Sequence, residues 1–300
     1  MIYLLALFLL LAPFLAQGKE IAITFDDIPM PKSCLYDKKK RVDILLDVLE
    51  KEKVRAAFFC IGQYVLQPGG KECLEAIALK NHFLANHSFT HTSLSKQSVR
   101  EFSEELQKTE EAIGCFAGSR KWYRFPNLDF GNREEIGGSE QKKEEVFALL
   151  KEQGYIHGYV TINTFDWYLN HYLLQALKNK QPIHWDLLEK VYLRLLAEWL
   201  DECEGVCSRV MPEQAAHVLL FHGNDINALF LPAILSFLRQ EGWTFVDPEK
   251  AYASCPQLHF CTHGDLYVQQ LGIPYTPMKT LTKEYVDDLV VASGAFEAQP

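Results

Sequence analysis

Short apolar runs alternate with longer amphipathic stretches along this chain. Ile21–Phe25 is apolar but for Thr24 and stops at two carboxylates, as a buried parallel strand would. Lys40–Lys53 then carries Val42, Leu45, Leu46, Val48 and Leu49 at helical spacing, and Val54–Ile61 reads as the next strand. Glu72–Lys80 predicts a helix, Phe83–Asn86 a brief strand, Ser98–Ile113 an exposed helix and Trp122–Phe125 another strand. Val146–Gln153 is a helix before the strand Ile156–Ile162, and Val218–Phe221 and Thr244–Val246 are late strands. Strand and helix in alternation predict an α/β fold built on a parallel sheet or barrel.

Two stretches exceed what such a domain needs. Asn127–Glu145 is polar, charge-dense and glycine-containing, which predicts a surface loop; residues of about 170–212 form a helix-rich insertion, with Trp185–Leu200 its clearest amphipathic part. The tail after Pro248 carries no motif, and Ser293–Pro300 reads as loose. Met1–Gly18 is uncharged and almost wholly apolar. Its core Ile2–Leu15 has signal-peptide length, and Ala16-Gln17-Gly18 offers small residues for cleavage, although no Lys or Arg follows Met1. About 15 apolar residues fall short of the roughly 20 that span a bilayer. The expected organisation is a signal peptide (1–18), a catalytic domain (19–250) and a C-terminal extension (251–300), with export to the periplasm or the exterior.

Composition narrows this picture only slightly. Three hundred residues at 48% hydrophobic content fill a large core, and a formal charge of −9 argues against a nucleic-acid partner. Eight cysteines in an exported chain invite disulfides. Cys60, inside the strand Ala56–Ile61, is expected as a buried thiol. Cys203 with Cys207, Cys255 with Cys261, and Cys73 with Cys115 are open options that spacing does not decide. Cys255, His259, Cys261 and His263 form a short cluster whose spacing fits no common zinc module, which favours a disulfide or plain loop.

The chemistry sits at strand ends, where barrel active sites form. Asp26 and Asp27 close the first strand, and His87 and His91 follow sixty residues on. One carboxylate and two imidazoles suit a divalent ion, with the second carboxylate beside it as a base. Neighbouring strand side chains alternate, so the two aspartates are expected to face differently, one to metal and one to the substrate water. His87 and His91, four apart, would share a face of one helical turn. Zinc suits this nitrogen–oxygen set, and the ligand types also accommodate cobalt, nickel or manganese. Arg124-Phe125-Pro126, Asp166-Trp167 and Leu220-Phe221-His222 complete the series.

In this order, from about Ile21 to about Pro248, the motifs resemble the polysaccharide deacetylases, the nodulation-type or carbohydrate esterase family four enzymes that strip acetyl groups from chitin, peptidoglycan and xylan. Thr24-Phe25-Asp26-Asp27 and Asn86-His87-Ser88-Phe89-Thr90-His91 carry the resemblance most specifically. It implies a distorted (β/α) barrel, often of seven strands. It also implies Asp27, His87 and His91 as metal ligands and Asp26 as general base, aimed by Arg124. Asp166 would orient His222 as general acid, and Trp167 and Pro126 would contact substrate. Three departures stand out: Ile28 where the family usually has Gly, Asn163 where it often has an acid, and Phe-Pro-Asn-Leu after Arg124 in place of its usual Pro-Pro-Tyr-Gly. The last leaves the oxyanion-holding amide without a named residue.

The leading expectation is a metal-dependent hydrolase of N- or O-acetylated carbohydrate. Two alternatives stay open. One is an amidohydrolase opening a small cyclic amide on the same barrel. The other is a non-catalytic envelope binding module, against which the full set of candidate side chains argues.

Overall fold

Period-two alternation decides the architecture. In β1 (Glu20–Ile28), Ile21, Ile23 and Phe25 pack in one core cluster, while Ala22 joins another and Thr24 and Asp26 share its side; all are buried. β2 (Ala56–Cys60) splits likewise, with Phe58 in the first cluster and Ala57 and Phe59 in the second. Strands buried on both faces read as unbroken apolar runs, as parallel strands under helices do. The computed structural model describes residues 19–255 and 282–296, apart from 208, 210, 213 and 214.

The chain continues through α1 (Lys38–Lys51, between β1 and β2), α2 (Gly62–Val65), α3 (Gly70–Leu79), β3 (Phe83–Asn86), α4 (Val99–Ile113) and β4 (Ser119–Tyr123). There follow α5 (Glu140–Glu152), β5 (Ile156–His157), α6 (Asp166–Lys178), α7 (Trp185–Cys207), β6 (His217–His222), α8 (Asp225–Gln240), β7 (Thr244–Phe245), α9 (Pro248–Ser254) and α10 (Lys283–Ser293). The strands form one parallel seven-stranded sheet in the order β5-β4-β3-β2-β1-β6, with β7 pairing to β1. A parallel bridge from Ile162 to Leu219 carries the segment after β5 across to β6. The sheet thus curls into the expected distorted (β/α) barrel. Its interior holds Ala22, Ala57 and Ala85, whose small side chains leave room for Phe59, Trp122, Tyr159 and Tyr252.

Caps mark most helix starts. Asp37, Ser98, Ser139, Asn224, Asp247 and Thr282 each accept a backbone N–H of the following turn, and Ser98 with Glu101 forms a full capping box. The stretch 127–145 is more ordered than a loop, with a 3₁₀ turn at Glu134–Ile136 and α5 beginning at Glu140. The helix-rich insertion holds α7, which runs past Leu200 to Cys207, and most of α6, which begins at Asp166. α8 falls where the pattern predicts nothing, because Pro232 sits inside it and burial on several sides blurs its amphipathic contrast. The tail is not wholly loose: α9 packs on the barrel, and Phe296 bridges to Ile183. No described helix is long and apolar enough to cross a membrane.

Cys60 is a buried thiol, as expected. Cys73 is buried in the main core while Cys115 is exposed, and both are thiols, so that long-range pairing does not form. The Cys203 and Cys207 thiols instead donate to the carbonyls of Asn163 and Thr161, at 3.8 and 3.1 Å. Residues 1–18 and the cluster partners His259, Cys261 and His263 lie outside the described residues.

One ion pair ties α1, and through it the loop after β1, to the start of α8. Arg41 Nε stands 3.0 Å from Asp225 Oδ1 with both side chains buried, and Arg41 Nη1 also donates to the carbonyls of Met30 and Pro31. Removing one partner of such a pair strands a buried charge and costs about 3–5 kcal/mol. Arg41→Ala is therefore expected to lower the urea midpoint of unfolding by the equivalent of that energy. A midpoint within error of wild type would show that the pair is dispensable.

Candidate active site

Asp26 and Asp27 end on the same cleft, contrary to strict strand alternation. Asp27 adopts a left-handed backbone (φ 64°), and the β1–β2 register shifts between Phe25 and Ile28. This bulge turns Asp27 toward the barrel mouth instead of the outer helices. Ile28, where a glycine was the family norm, is fully buried and does not narrow the mouth. Its side chain fills the space beside Gly223, where an added Cβ would meet Ile28 Cδ1 at 2.2 Å.

His87 and His91 do come together, with ring centroids 4.9 Å apart, but on a loop and not a helical turn. Ser88 and His91 take left-handed conformations (φ 62° and 61°), and Ser88 Oγ accepts the His91 N–H at 2.9 Å. Asn86 Oδ1 accepts the Ser88 N–H, and Glu105 from α4 accepts the N–H groups of Phe89 and Thr90. Glu105 escapes sequence reading because its role is set by a contact across the fold. The Arg124 carbonyl stands 2.9 Å from His87 Nδ1. A carbonyl only accepts, so Nδ1 carries the proton and Nε2 offers its lone pair.

Three donor atoms converge: Asp27 Oδ1 lies 3.5 Å from His87 Nε2 and 3.2 Å from His91 Nε2. A tetrahedral ion with bonds of about 2.0–2.1 Å separates its ligands by about 3.3–3.4 Å. Asp27 Oδ1 is buried with no hydrogen-bond partner, a cost that an ion would remove. Burial pushes the Asp27 carboxyl up, but the neighbouring imidazoles of His87, His91 and His222 pull it further down, well below the usual carboxylate range. Burial, aided by the neighbouring His87 imidazole, lowers His91 to about 4, so it is neutral near pH 7. These residues fit a divalent cation, and they are the one such cluster found among the described residues.

Behind Asp26 lies Arg124, fully buried. Its Nη1 donates to Asp26 Oδ1 at 2.6 Å and to Thr24 Oγ1 at 2.9 Å. Its guanidinium covers the Phe59 ring at 3.8 Å. Across the cleft, His222 Nδ1 donates to Asp166 Oδ1 at 2.7 Å, and the His222 backbone N–H reaches Asp166 Oδ2 at 2.9 Å. Asn224 and Asn227 also donate to that oxygen, and Tyr192 holds Asn227 through its hydroxyl. Asp166 opens α6 and turns its carboxylate to His222 and the start of α8; the cap position of that helix is Phe165, whose side chain cannot cap it. Burial pushes Asp166 up, but the His222 charge and these hydrogen bonds hold it below its usual value. Burial pushes the His222 imidazole down, but Asp166, aided by Asp27 and Asp26, lifts it to about 9.

The cleft encloses about 350 Å³ and is open on one side. Asp26, Asp27, His87, His91, Asn127, Leu128, Asn163, Phe165, Trp167, Leu220 and His222 line it. Of the nine residues anticipated from sequence, Arg124 and Asp166 sit behind this surface and Pro126 does not reach it. Pro126 is buried at the start of a 3₁₀ turn, and the next two residues, Asn127 and Leu128, present themselves instead through left-handed backbones (φ 56° and 50°). Trp167 lines the cleft and is 41% exposed. Phe165, which packs on it at 4.9 Å, carries no motif that would have marked it.

A parallel barrel whose mouth gathers a carboxylate–histidine cluster, a second carboxylate and a carboxylate-paired histidine is an arrangement suited to hydrolysis. Residues 16–136 match the sequence profile of the Polysaccharide deacetylase family. The peptidoglycan N-acetylglucosamine deacetylase PgdA of Listeria monocytogenes is 34% identical over 103 residues, 34% of this chain and 20% of that protein. A chitooligosaccharide deacetylase of a Bradyrhizobium species is 36% identical over 96 residues, 32% of this chain and 39% of that protein. The match thus spans well under half the length of either relative. A solved structure of T48 deacetylase with substrate superposes with a TM-score of 0.51 over 88% of this chain and 96% of that one, at 21% identity, a likeness of fold. Over residues 16–136 the chain thus carries the sequence pattern of the polysaccharide deacetylase family.

Metal binding by the three converging residues is directly testable. Protein equilibrated with Zn²⁺ and desalted is expected to hold about one ion per chain, by the ligand count of such sites. The His87→Ala, His91→Ala double variant should remain folded and lose it. Stoichiometric metal in that variant would place the ion elsewhere.

Proposed function

We propose that the chain is a divalent-metal-dependent deacetylase of N- or O-acetylated glycans. One observation carries this reading: the Arg124–Asp26 pair and the Asp166–His222 pair face one cleft, with the Asp27, His87 and His91 donors between them. The family match over residues 16–136 and the glycan deacetylases among the relatives support the substrate class. They lend nothing to a small cyclic amide, and the open side of the cleft suits a polymer better than a closed chamber would.

An ion held by Asp27, His87 and His91 would polarise the acetyl carbonyl and make a bound water more acidic, zinc being the best fit to the ligand set. Asp26 takes the proton of the attacking water. Its Oδ1 is fixed by Arg124, which leaves Oδ2, 3.6 Å from His87 Nε2, beside the donor cluster. The 3₁₀ turn after Arg124 supplies an amide for the oxyanion. Leu128 and Asp129 donate their N–H groups within the turn and Pro126 has none, which points to the Asn127 N–H. His222 donates its Nε2 proton to the departing amine or alcohol, while Asp166 holds Nδ1 and stabilises the cation. Trp167, Phe165 and Leu220 give the acetyl methyl an apolar wall.

The apolar run Ile2–Leu15 supports export, which would bring the enzyme to extracellular glycan. N-terminal sequencing of the mature protein is expected to begin near Lys19, and an intact Met1 in the cytoplasmic fraction would overturn this.

The roles of Asp26 and His222 separate by leaving group. Asp26→Asn is expected to keep metal and lose about 10²–10⁴-fold in kcat. His222→Ala should suffer as badly on an acetamide, whose amine needs a proton, and much less on an activated aryl acetate; equal losses would remove His222 from the acid role. His222 is protonated below about 9 and loses its proton as pH rises through that value, so activity should fall on the alkaline side near pH 9. In Asp166→Asn this limb should move toward the ordinary histidine value of about 6.5. An unmoved limb would contradict the assignment.

A further inference from the structure

Arg124 is buried, and its N–H donors find acceptors on several elements of the fold. Nε donates to the Gly158 carbonyl at 2.8 Å, and Nη1 to Thr24 Oγ1 and Asp26 Oδ1 at 2.9 and 2.6 Å. Nη2 donates to the Tyr159 carbonyl at 3.4 Å and to the Tyr252 hydroxyl at 2.8 Å. Four of these acceptors belong to β1 or the segment after β5. The fifth belongs to α9, 128 residues along the chain from Arg124 and outside the stretch that matches the family profile.

α9 is built to deliver that hydroxyl. Asp247 caps it, Pro248 opens it, Arg55 pairs with Asp247, and the Tyr159 hydroxyl donates to the Ala251 carbonyl at 2.7 Å. Tyr252 is fully buried inside the barrel, with its ring against Trp122, Tyr159 and Phe59 at centroid distances of 4.8, 5.2 and 6.5 Å. We propose that Tyr252 is a positioning residue for the reaction: its hydroxyl fixes the guanidinium of Arg124 and, through it, the carboxylate of Asp26. Without that acceptor Nη2 loses the shorter of the two hydrogen bonds just described, and the guanidinium shifts from its present position. A shift of the carboxylate by a fraction of an ångström misaligns proton transfer without altering the substrate wall, so kcat responds and KM does not.

The kinetic arm of the test rests on the deacetylase reading above; the spectroscopic arm does not. Tyr252→Phe retains the ring and its packing. Metal-loaded Tyr252→Phe is expected to lose about tenfold in kcat for acetate release from N-acetylglucosamine oligomers, with KM within about twofold of wild type and metal content unchanged. Wild-type kcat in Tyr252→Phe, or a loss that appears in KM and not in kcat, would overturn the proposal, because α9 would then act only as a structural plug. If the wild-type protein releases no acetate, the deacetylase reading fails and ¹⁵N-arginine NMR decides the positioning. Separate, slowly exchanging Arg124 Nη protons in the wild type that average in Tyr252→Phe support it, and unchanged resonances overturn it.

Discussion

The site depends on a charge pair that the barrel interior would ordinarily reject. Arg124 and Asp26 are both withdrawn from water, and desolvating two ions is offset only by close geometry and saturated hydrogen bonding. Saturation explains the composition around them. Alanines at 22, 57 and 85 keep the interior open enough for a guanidinium, and Phe59 offers a ring face beneath it. Thr24, two residues before Asp26 on the same strand face, supplies an acceptor at the right depth. The strand alternation that builds the core therefore also places the carboxylate proposed as the base.

A second consequence is the opposite fate of two histidines that line one cleft. His91 has another imidazole as its near neighbour, and burial beside it keeps the ring neutral, the state that metal ligation would need. His222 has a buried carboxylate fixed by two asparagines, and burial loses to that partner, so the ring stays charged, as an acid must. Environment, and not residue type, assigns the roles.

Much of this was legible in the sequence for a local reason. Strand ends announce themselves where an apolar run meets a carboxylate or histidine, and Asp26, Asp27, His87 and His222 each stand at or just beyond such a boundary. Less legible was how those residues are aimed. Alternation predicts that Asp26 and Asp27 part ways, and only a bulge with a left-handed residue brings both to the mouth. Helical spacing accounts for the proximity of His87 and His91, yet a loop pinned by Ser88 and Glu105 achieves it. Pro126 retreats while Asn127 and Leu128 advance, because a 3₁₀ turn follows the strand. Tyr252 and Glu105 act through contacts that no local pattern encodes.

The central claim is that these residues hydrolyse acetyl groups with the help of an ion they themselves hold. The most direct measurement is acetate release from N-acetylglucosamine oligomers by one protein sample in three states: as metal-loaded, stripped with a chelator, and reloaded with Zn²⁺. The account predicts release, its loss on stripping, and its return in proportion to bound ion up to about one per chain. Acetate release that persists undiminished in protein shown to be free of metal would contradict it.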